Sequence, residues 1–297
     1  MGNVVRKGHH NPPAPTGTSR MKHVTLPDGE RVPALGMGTW NMGESRAARA
    51  EEIATLRLGL DLGLRLIDTA EMYGEGLSEE MIGEAIAGRR DAVFLVSKVY
   101  PHNASRRGIA AACERSLHRL GTDRIDLYLL HWRGSVPLEE TVQGLPALQR
   151  EGKIRHYGVS NLDLSDMEEL WDAPGGDQVA VNQLLYNLGR RGIEWDLLPW
   201  LREHRVPVMA YSPIEQAQLA RHPKLVRFAQ ECDMTPAQVA LAWLLARNDI
   251  IAIPKTSRRE RLRENFGALE RQLTPEQLAE LDRLFPPPKG PRPLEML

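Results

Sequence analysis

Eight short apolar runs recur between Ala34 and Pro254, each separated from the next by a longer stretch. They are Ala34–Thr39, Leu64–Asp68, Val93–Lys98, Ile125–His131, His156–Ser160, Val179–Gln183, Val208–Tyr211 and Ile250–Pro254. Amphipathic stretches lie between them, among them Arg49–Leu62, Ser78–Ala87, Arg107–Leu120, Leu138–Glu151 and Asp196–Glu203. Runs this short suit buried strands, and the longer periodic stretches suit helices. Regular alternation of the two calls for a parallel sheet covered by helices. Eight such units predict an α/β chain folded as a single (β/α)8 TIM barrel, with two helices beyond the basic eight. An open doubly wound sheet that held a dinucleotide would carry G-x-G-x-x-G after its first strand, and the sequence has none.

Local chemistry sharpens the boundaries. "KHVTLPDGERVPAL" reads as a β-hairpin ahead of the barrel, turning at Pro27-Asp28-Gly29. Ser165 with Glu168, Thr235 with Gln238, and Thr274 with Gln277 fit the S/T-x-x-E/Q box that opens a helix. Pro236 and Pro275 would take the first helical position, where a missing N–H does no harm. Residues 1–21 are rich in Pro, Gly and Asn and are expected to form a disordered tail. Residues 22–285 would form the barrel, and the proline-rich 286–297 an extended tail or flap.

Composition excludes several functions. A net charge of -1 with interspersed signs argues against a nucleic-acid partner. No apolar run approaches the roughly 20 residues of a membrane helix, and the N-terminus lacks the apolar core of a secretory signal. Cys113 and Cys232 are far apart in sequence and suggest neither a disulfide framework nor a metal site. A monomer in the reducing cytoplasm is the expectation, and His9-His10 reads as a solvated pair.

The chemistry gathers at strand ends. Side chains alternate along a strand, so Asp68 shares a face with Leu66 and Leu64, and Lys98 with Val96 and Phe94. His131 shares one with Leu129, Leu127 and Ile125. Each strand thus ends in an ionisable group on its apolar face, the profile of a barrel mouth. Any one alone would pass for a cap, a solvated end or a core histidine, whereas three of equal parity converge. Tyr73 joins them from the loop after Asp68. A free phenol titrates at about 10, and a nearby ammonium should bring it down. Lys98 would supply that field, with Asp68 holding it, and His131 would donate to a developing alkoxide. A lysine on a barrel strand also fits a Schiff-base lyase.

With these residues in view, the chain resembles the aldo-keto reductases from Lys22 to Phe285, and most closely their compact bacterial members. "GLRLIDTAEMYG" is similar to the segment of the catalytic aspartate and tyrosine, "VSKVY" to that of the lysine, and "LYLLHW" to that of the histidine. The resemblance implies catalysis by Asp68, Tyr73, Lys98 and His131. "GVSN", "VNQLLYN" and "AYSP" imply Ser160, Asn161 and Gln183 on the cofactor amide, Tyr211 stacked on nicotinamide and Ser212 near phosphate. "IPKTSRRERLREN" implies Lys255, Thr256 and Arg261 on the 2′-phosphate of NADPH, with Glu264 and Asn265 on the adenine and Ser257 among the cofactor-binding residues. Gly38, Thr39, Trp40 and Asp68 complete the implied cofactor contacts. Trp40, Tyr73, His131 and Trp132 would line an open substrate mouth. The implied activity is NADPH-dependent reduction of small aldehydes, ketones or dicarbonyls such as methylglyoxal. A cofactor-binding sensor subunit on the same fold is the alternative the resemblance carries. Departures from the commonest pattern include three extra residues after Tyr73, Tyr157 and Leu162 around "GVSN", and Arg133 after "HW".

Overall fold

A computed structural model describes residues 21–297. Most of the expected N-terminal tail therefore lies outside the described residues, while Met21 packs against the core. The hairpin forms as β1 (His23–Thr25) and β2 (Arg31–Pro33), paired antiparallel. Its turn closes with Gly29 N on Leu26 O at 2.9 Å and Leu26 N on Glu30 O at 2.8 Å. Val24, Leu26 and Val32 are buried, so the hairpin contributes apolar surface to the core. Polar ties fix it to the barrel floor. Lys22 Nζ donates to the carbonyls of Leu245 and Arg247, and Glu30 accepts from Arg155 at 2.7 Å.

Eight parallel strands follow: β3 (Met37–Gly38), β4 (Leu66–Asp68), β5 (Phe94–Val99), β6 (Ile125–Leu130), β7 (Ile154–Ser160), β8 (Asn182–Leu185), β9 (Val208–Tyr211) and β10 (Ile250–Ala252). Each hydrogen-bonds its sequence neighbour, so the sheet order is the chain order. Parallel bridges Leu35↔Ala252 and Gly38↔Lys255 join the first strand to the last and close the cylinder. Every expected strand is present. The sixth of the eight begins later than expected, at Asn182, because Val179–Val181 enter the sheet through only isolated bonds such as Ala180 N to Tyr157 O.

Ten helices among the described residues cover the cylinder. They are α1 (Arg46–Leu62), α2 (Leu77–Ile86), α3 (Arg106–Leu120), α4 (Leu138–Arg150), α5 (Leu164–Asp172), α6 (Leu197–Glu203), α7 (Pro223–Glu231), α8 (Pro236–Leu245), α9 (Arg259–Gly267) and α10 (Pro275–Leu284). The boxes at Thr235 and Thr274 cap α8 and α10 as expected. The Ser165 box does not form. Asp163 caps α5 instead, accepting from Asp166 N at 2.9 Å, and Ser165 merely donates to that same carboxylate at 2.8 Å. A carboxylate two residues upstream starts the helix earlier and leaves Ser165 inside its first turn. α2 and α3 pack closely at Gly83, where a Cβ would meet the Leu120 carbonyl oxygen at 2.7 Å. No helix among the described residues is long and apolar enough to cross a membrane. Residues 286–297 have no regular structure, yet Leu294 packs on the core and Glu295 pairs with Arg190 at 2.6 Å.

Candidate active site

Strand register delivers Asp68 and Lys98 to the C-terminal rim of the barrel. Asp68 pairs with Val96 and Lys98 with Leu129, while His131 N continues the ladder onto Val99 O at 3.0 Å. Lys98 is wholly buried and spends three donors on three acceptors: Thr69 O at 2.7 Å, Asp68 Oδ2 at 2.9 Å and the Tyr73 hydroxyl at 3.3 Å. The phenol oxygen accepts, so the phenol hydrogen is free for a ligand. Tyr73 meets His131 edge-on, with ring centroids 5.9 Å apart at 73°.

The electrostatics assign different protonation to each group. Burial pushes the His131 imidazole down to about 2, helped by the neighbouring Lys98 charge, so the ring is neutral at any ordinary pH. Burial also pulls the Lys98 ammonium down, but Asp68 and Tyr73 outweigh it and the net shift is upward. For Tyr73 burial raises the phenol above its ordinary value, Lys98 opposes this and Asp68 adds to it. The expected net lowering of the phenol is thus corrected. Lys98 acts in the anticipated direction, and desolvation of the phenolate is larger.

These groups open on a cleft of about 880 Å³. Its walls include Gly38, Thr39, Trp40, Asp68, Tyr73, His131, Trp132, Ser160, Asn161, Gln183, Tyr211 and Ser212. Lys255, Thr256, Ser257, Arg261, Glu264 and Asn265 line its far end. Of the residues singled out in the sequence, Lys98 alone stands behind the wall rather than on it. The middle is a connected polar frame. Gln183 Nε2 donates to Asp68 Oδ1 at 2.7 Å, and Ser160 Oγ donates to Gln183 O at 2.9 Å. Asn161 Nδ2 donates to His131 O at 3.2 Å, and Tyr211 OH donates to Asn161 Oδ1 at 3.0 Å.

The far end suits a polyanion. Arg259 is held by Glu51, whereas Lys255, Arg258, Arg261 and Arg221 face the cleft with no ion-pair partner among the described residues. Partial burial pushes the Lys255 ammonium below its ordinary range, with Glu52 and Glu44 opposing. An unpaired cation losing water in this way gains by taking a phosphate. The donor set therefore fits a phosphorylated dinucleotide whose other end reaches Tyr211 and Asn161.

Two segments of this wall went unrecognised in the sequence. The loop after Tyr211 supplies Pro213, Ile214, Gln216, Ala217, Ala220 and Arg221, and it bends through left-handed φ at Glu215 (46°), Gln216 (49°) and Ala217 (71°). Such backbone has no sequence period to detect. Met296 and Leu297 reach the mouth from the tail, and the Leu297 backbone lies against the Tyr211 hydroxyl. Large apolar residues closing a proline-rich run were the available signal.

Comparison with known proteins agrees with this geometry. The model of the aldo/keto reductase family matches residues 34–285. Methylglyoxal reductase YeaE of Escherichia coli is 51% identical over 271 residues, covering 90% of this chain and 95% of that protein. A glyoxal reductase of Bacillus subtilis is 32% identical, covering 94% and 99%. An aldo/keto reductase of Klebsiella pneumoniae, solved with NADP and acetate, superposes with a TM-score of 0.90 at 50% identity, covering 93% of this chain and all of that one. The chain therefore belongs to the aldo/keto reductase family and is an NADP-dependent oxidoreductase acting on carbonyl groups.

Proposed function

We propose that the protein reduces methylglyoxal and related small aldehydes and dicarbonyls, with Tyr73 as the proton donor. The observation that carries this reading is the Lys98 ammonium, enclosed by Asp68, Thr69 and Tyr73 directly beneath a cleft with a cationic far end. NADPH, when bound, supplies the hydride. Every other task falls to side chains. Tyr211, Asn161, Ser160 and Gln183 orient the nicotinamide end, while Lys255, Thr256, Ser257 and Arg261 grip the 2′-phosphate. Glu264 and Asn265 meet the adenine, and Gly38, Thr39 and Trp40 line the same trough. His131, neutral, donates its one N–H to the substrate oxygen. Tyr73 gives that oxygen its proton, and Lys98, pinned by Asp68, stabilises the phenolate left behind.

Trp40, Met72, Trp132, Met296 and Leu297 give the substrate end an apolar wall, which suits small uncharged carbonyls. Identity of 51% to a methylglyoxal reductase supports the same choice. The Schiff-base reading is disfavoured, because a buried ammonium held in its charged form by Asp68 is no nucleophile. The complete set of four polar groups favours turnover over a purely sensory role. A cytoplasmic monomer that binds no nucleic acid fits the balanced charge and the two free cysteines. The test is NADPH oxidation measured against methylglyoxal, glyoxal, longer aldehydes, ketones and 2-oxo acids, with NADH alongside. Methylglyoxal should lead in kcat/KM and NADPH should exceed NADH. Turnover confined to large ketones, or equal use of both cofactors, would sink the assignment.

A further inference from the structure

Tyr73 is bracketed by two buried carboxylates that turn away from the cleft. Glu71, two residues earlier, accepts from Tyr100 N at 2.8 Å and from Asn103 Nδ2 at 3.0 Å. Glu79, six residues later and fully buried, accepts from Ser97 Oγ at 2.6 Å and from Arg119 Nε at 2.6 Å. The same guanidinium stands near the first carboxylate, with Nη2 4.0 Å from Glu71 Oε2, an oxygen that Arg115 Nη2 also approaches at 3.6 Å. Arg119 comes from α3, in the next strand–helix unit, so one side chain spans both ends of the loop that carries the phenol.

Between the carboxylates the backbone is unusual. Gly74, Glu75 and Gly76 are all left-handed, with φ of 56°, 53° and 98°. A Cβ on Gly76 would stand 2.5 Å from Arg119 Cδ, so the loop lies directly on this arginine. Left-handed Glu75 persists only if its surroundings impose it. Tyr73 itself is held by its N–H on Ala70 O at 3.1 Å, by Leu77 N on its carbonyl, by the edge contact with His131, and by Lys98, which both bonds the hydroxyl and lies 4.9 Å from the ring centre. The hydroxyl bond, at 3.3 Å, is the longest of the three Lys98 makes. A small retreat of the loop would lose it.

We propose that Arg119 is a positioning residue for carbonyl reduction: by pairing with Glu79 at 2.6 Å and lying against Gly76 and near Glu71, on either side of Tyr73, it fixes where the phenol meets Lys98 and the substrate oxygen. The inference rests on the reading of Tyr73 as proton donor. It is tested in the full-length enzyme by single-turnover NADPH oxidation with methylglyoxal, in H2O and D2O, together with NADPH Kd. R119M should slow the single turnover by about 10–100-fold, the scale of a misplacement near 1 Å. Its NADPH Kd should stay within about twofold and its solvent isotope effect should rise, because proton delivery is what has been impaired. R119K should recover most of the rate. E71Q, which keeps the Arg119–Glu79 pair, should show a smaller loss of the same kind and decides the matter if R119M does not fold. A folded R119M or E71Q with the wild-type rate overturns the proposal. So does a loss of rate matched by loss of NADPH affinity, since that is general loosening. Y73F run in parallel separates the two levels: wild-type turnover there removes Tyr73 as donor, whereas an inactive Y73F beside a fully active R119M removes only Arg119.

Discussion

At Lys98, three donors meet three acceptors in a fully buried position, and the shifts of Tyr73 and His131 both reflect that charge and the burial around it. The phenol is kept protonated by burial and the imidazole is kept neutral by burial, so neither is poised near neutrality. Tyr73→Phe should lower kcat by roughly 10²–10⁴-fold, the usual share of a positioned acid, with NADPH Kd changed less than about twofold. The pH dependence follows from the signs. An acid whose pKa is raised is present below that value and is lost only as pH rises through it. The single-turnover reduction rate should therefore stay level across neutral pH and decline only above the phenol's ordinary value of about 10. With His131 at about 2, no break belongs between pH 5 and 9, and an inflection there would show that another group gates proton delivery. Strand parity made Asp68, Lys98 and His131 legible before any coordinates. The size of the desolvation was not legible, since it depends on packing around the phenol that no local pattern encodes.

Elements divide by how their ends are made. Where a hydroxyl and an amide three residues apart close a box, as at Thr274 with Gln277, the start of the helix could be read directly. Thr274→Ala should cost about 1 kcal/mol and lower Tm by roughly 2 °C, with kcat/KM unchanged, because α10 lies outside the cleft. Differential scanning calorimetry beside a turnover assay checks both. At α5 two candidate caps compete within three residues, and the pattern S-x-x-E picked the weaker one. The irregular segments were opaque for a different reason. The left-handed runs at Gly74–Gly76 and Glu215–Ala217 are set by what they pack upon, Arg119 in one case and Asn187 with Arg190 in the other. Neither partner is near in sequence.

The whole molecule separates its tasks by face. The hairpin and its ionic ties close one end of the cylinder, and the cleft occupies the other. Eightfold alternation of strand and helix made that architecture legible in the sequence, because eight such units suffice to close a parallel sheet on itself and bury the inner face of every strand. Ligand binding should be felt globally: NADPH at a hundredfold excess over its Kd should add about 2.7 kcal/mol to stability. Arg261→Ala should shrink the rise in Tm with NADPH while leaving that with NADH nearly unaltered. Equal shrinkage for both would place Arg261 away from the 2′-phosphate. The placement of Lys98 behind the wall has one more consequence. Reactive carbonyl compounds condense with free amines, so a carbonyl reductase works amid molecules that can modify it. Wholly buried, with its ammonium form favoured by Asp68, the Lys98 amine is out of reach of that chemistry. Glycation should strike Lys255 and the arginines of the far end first, eroding affinity for the coenzyme while the machinery beneath it survives.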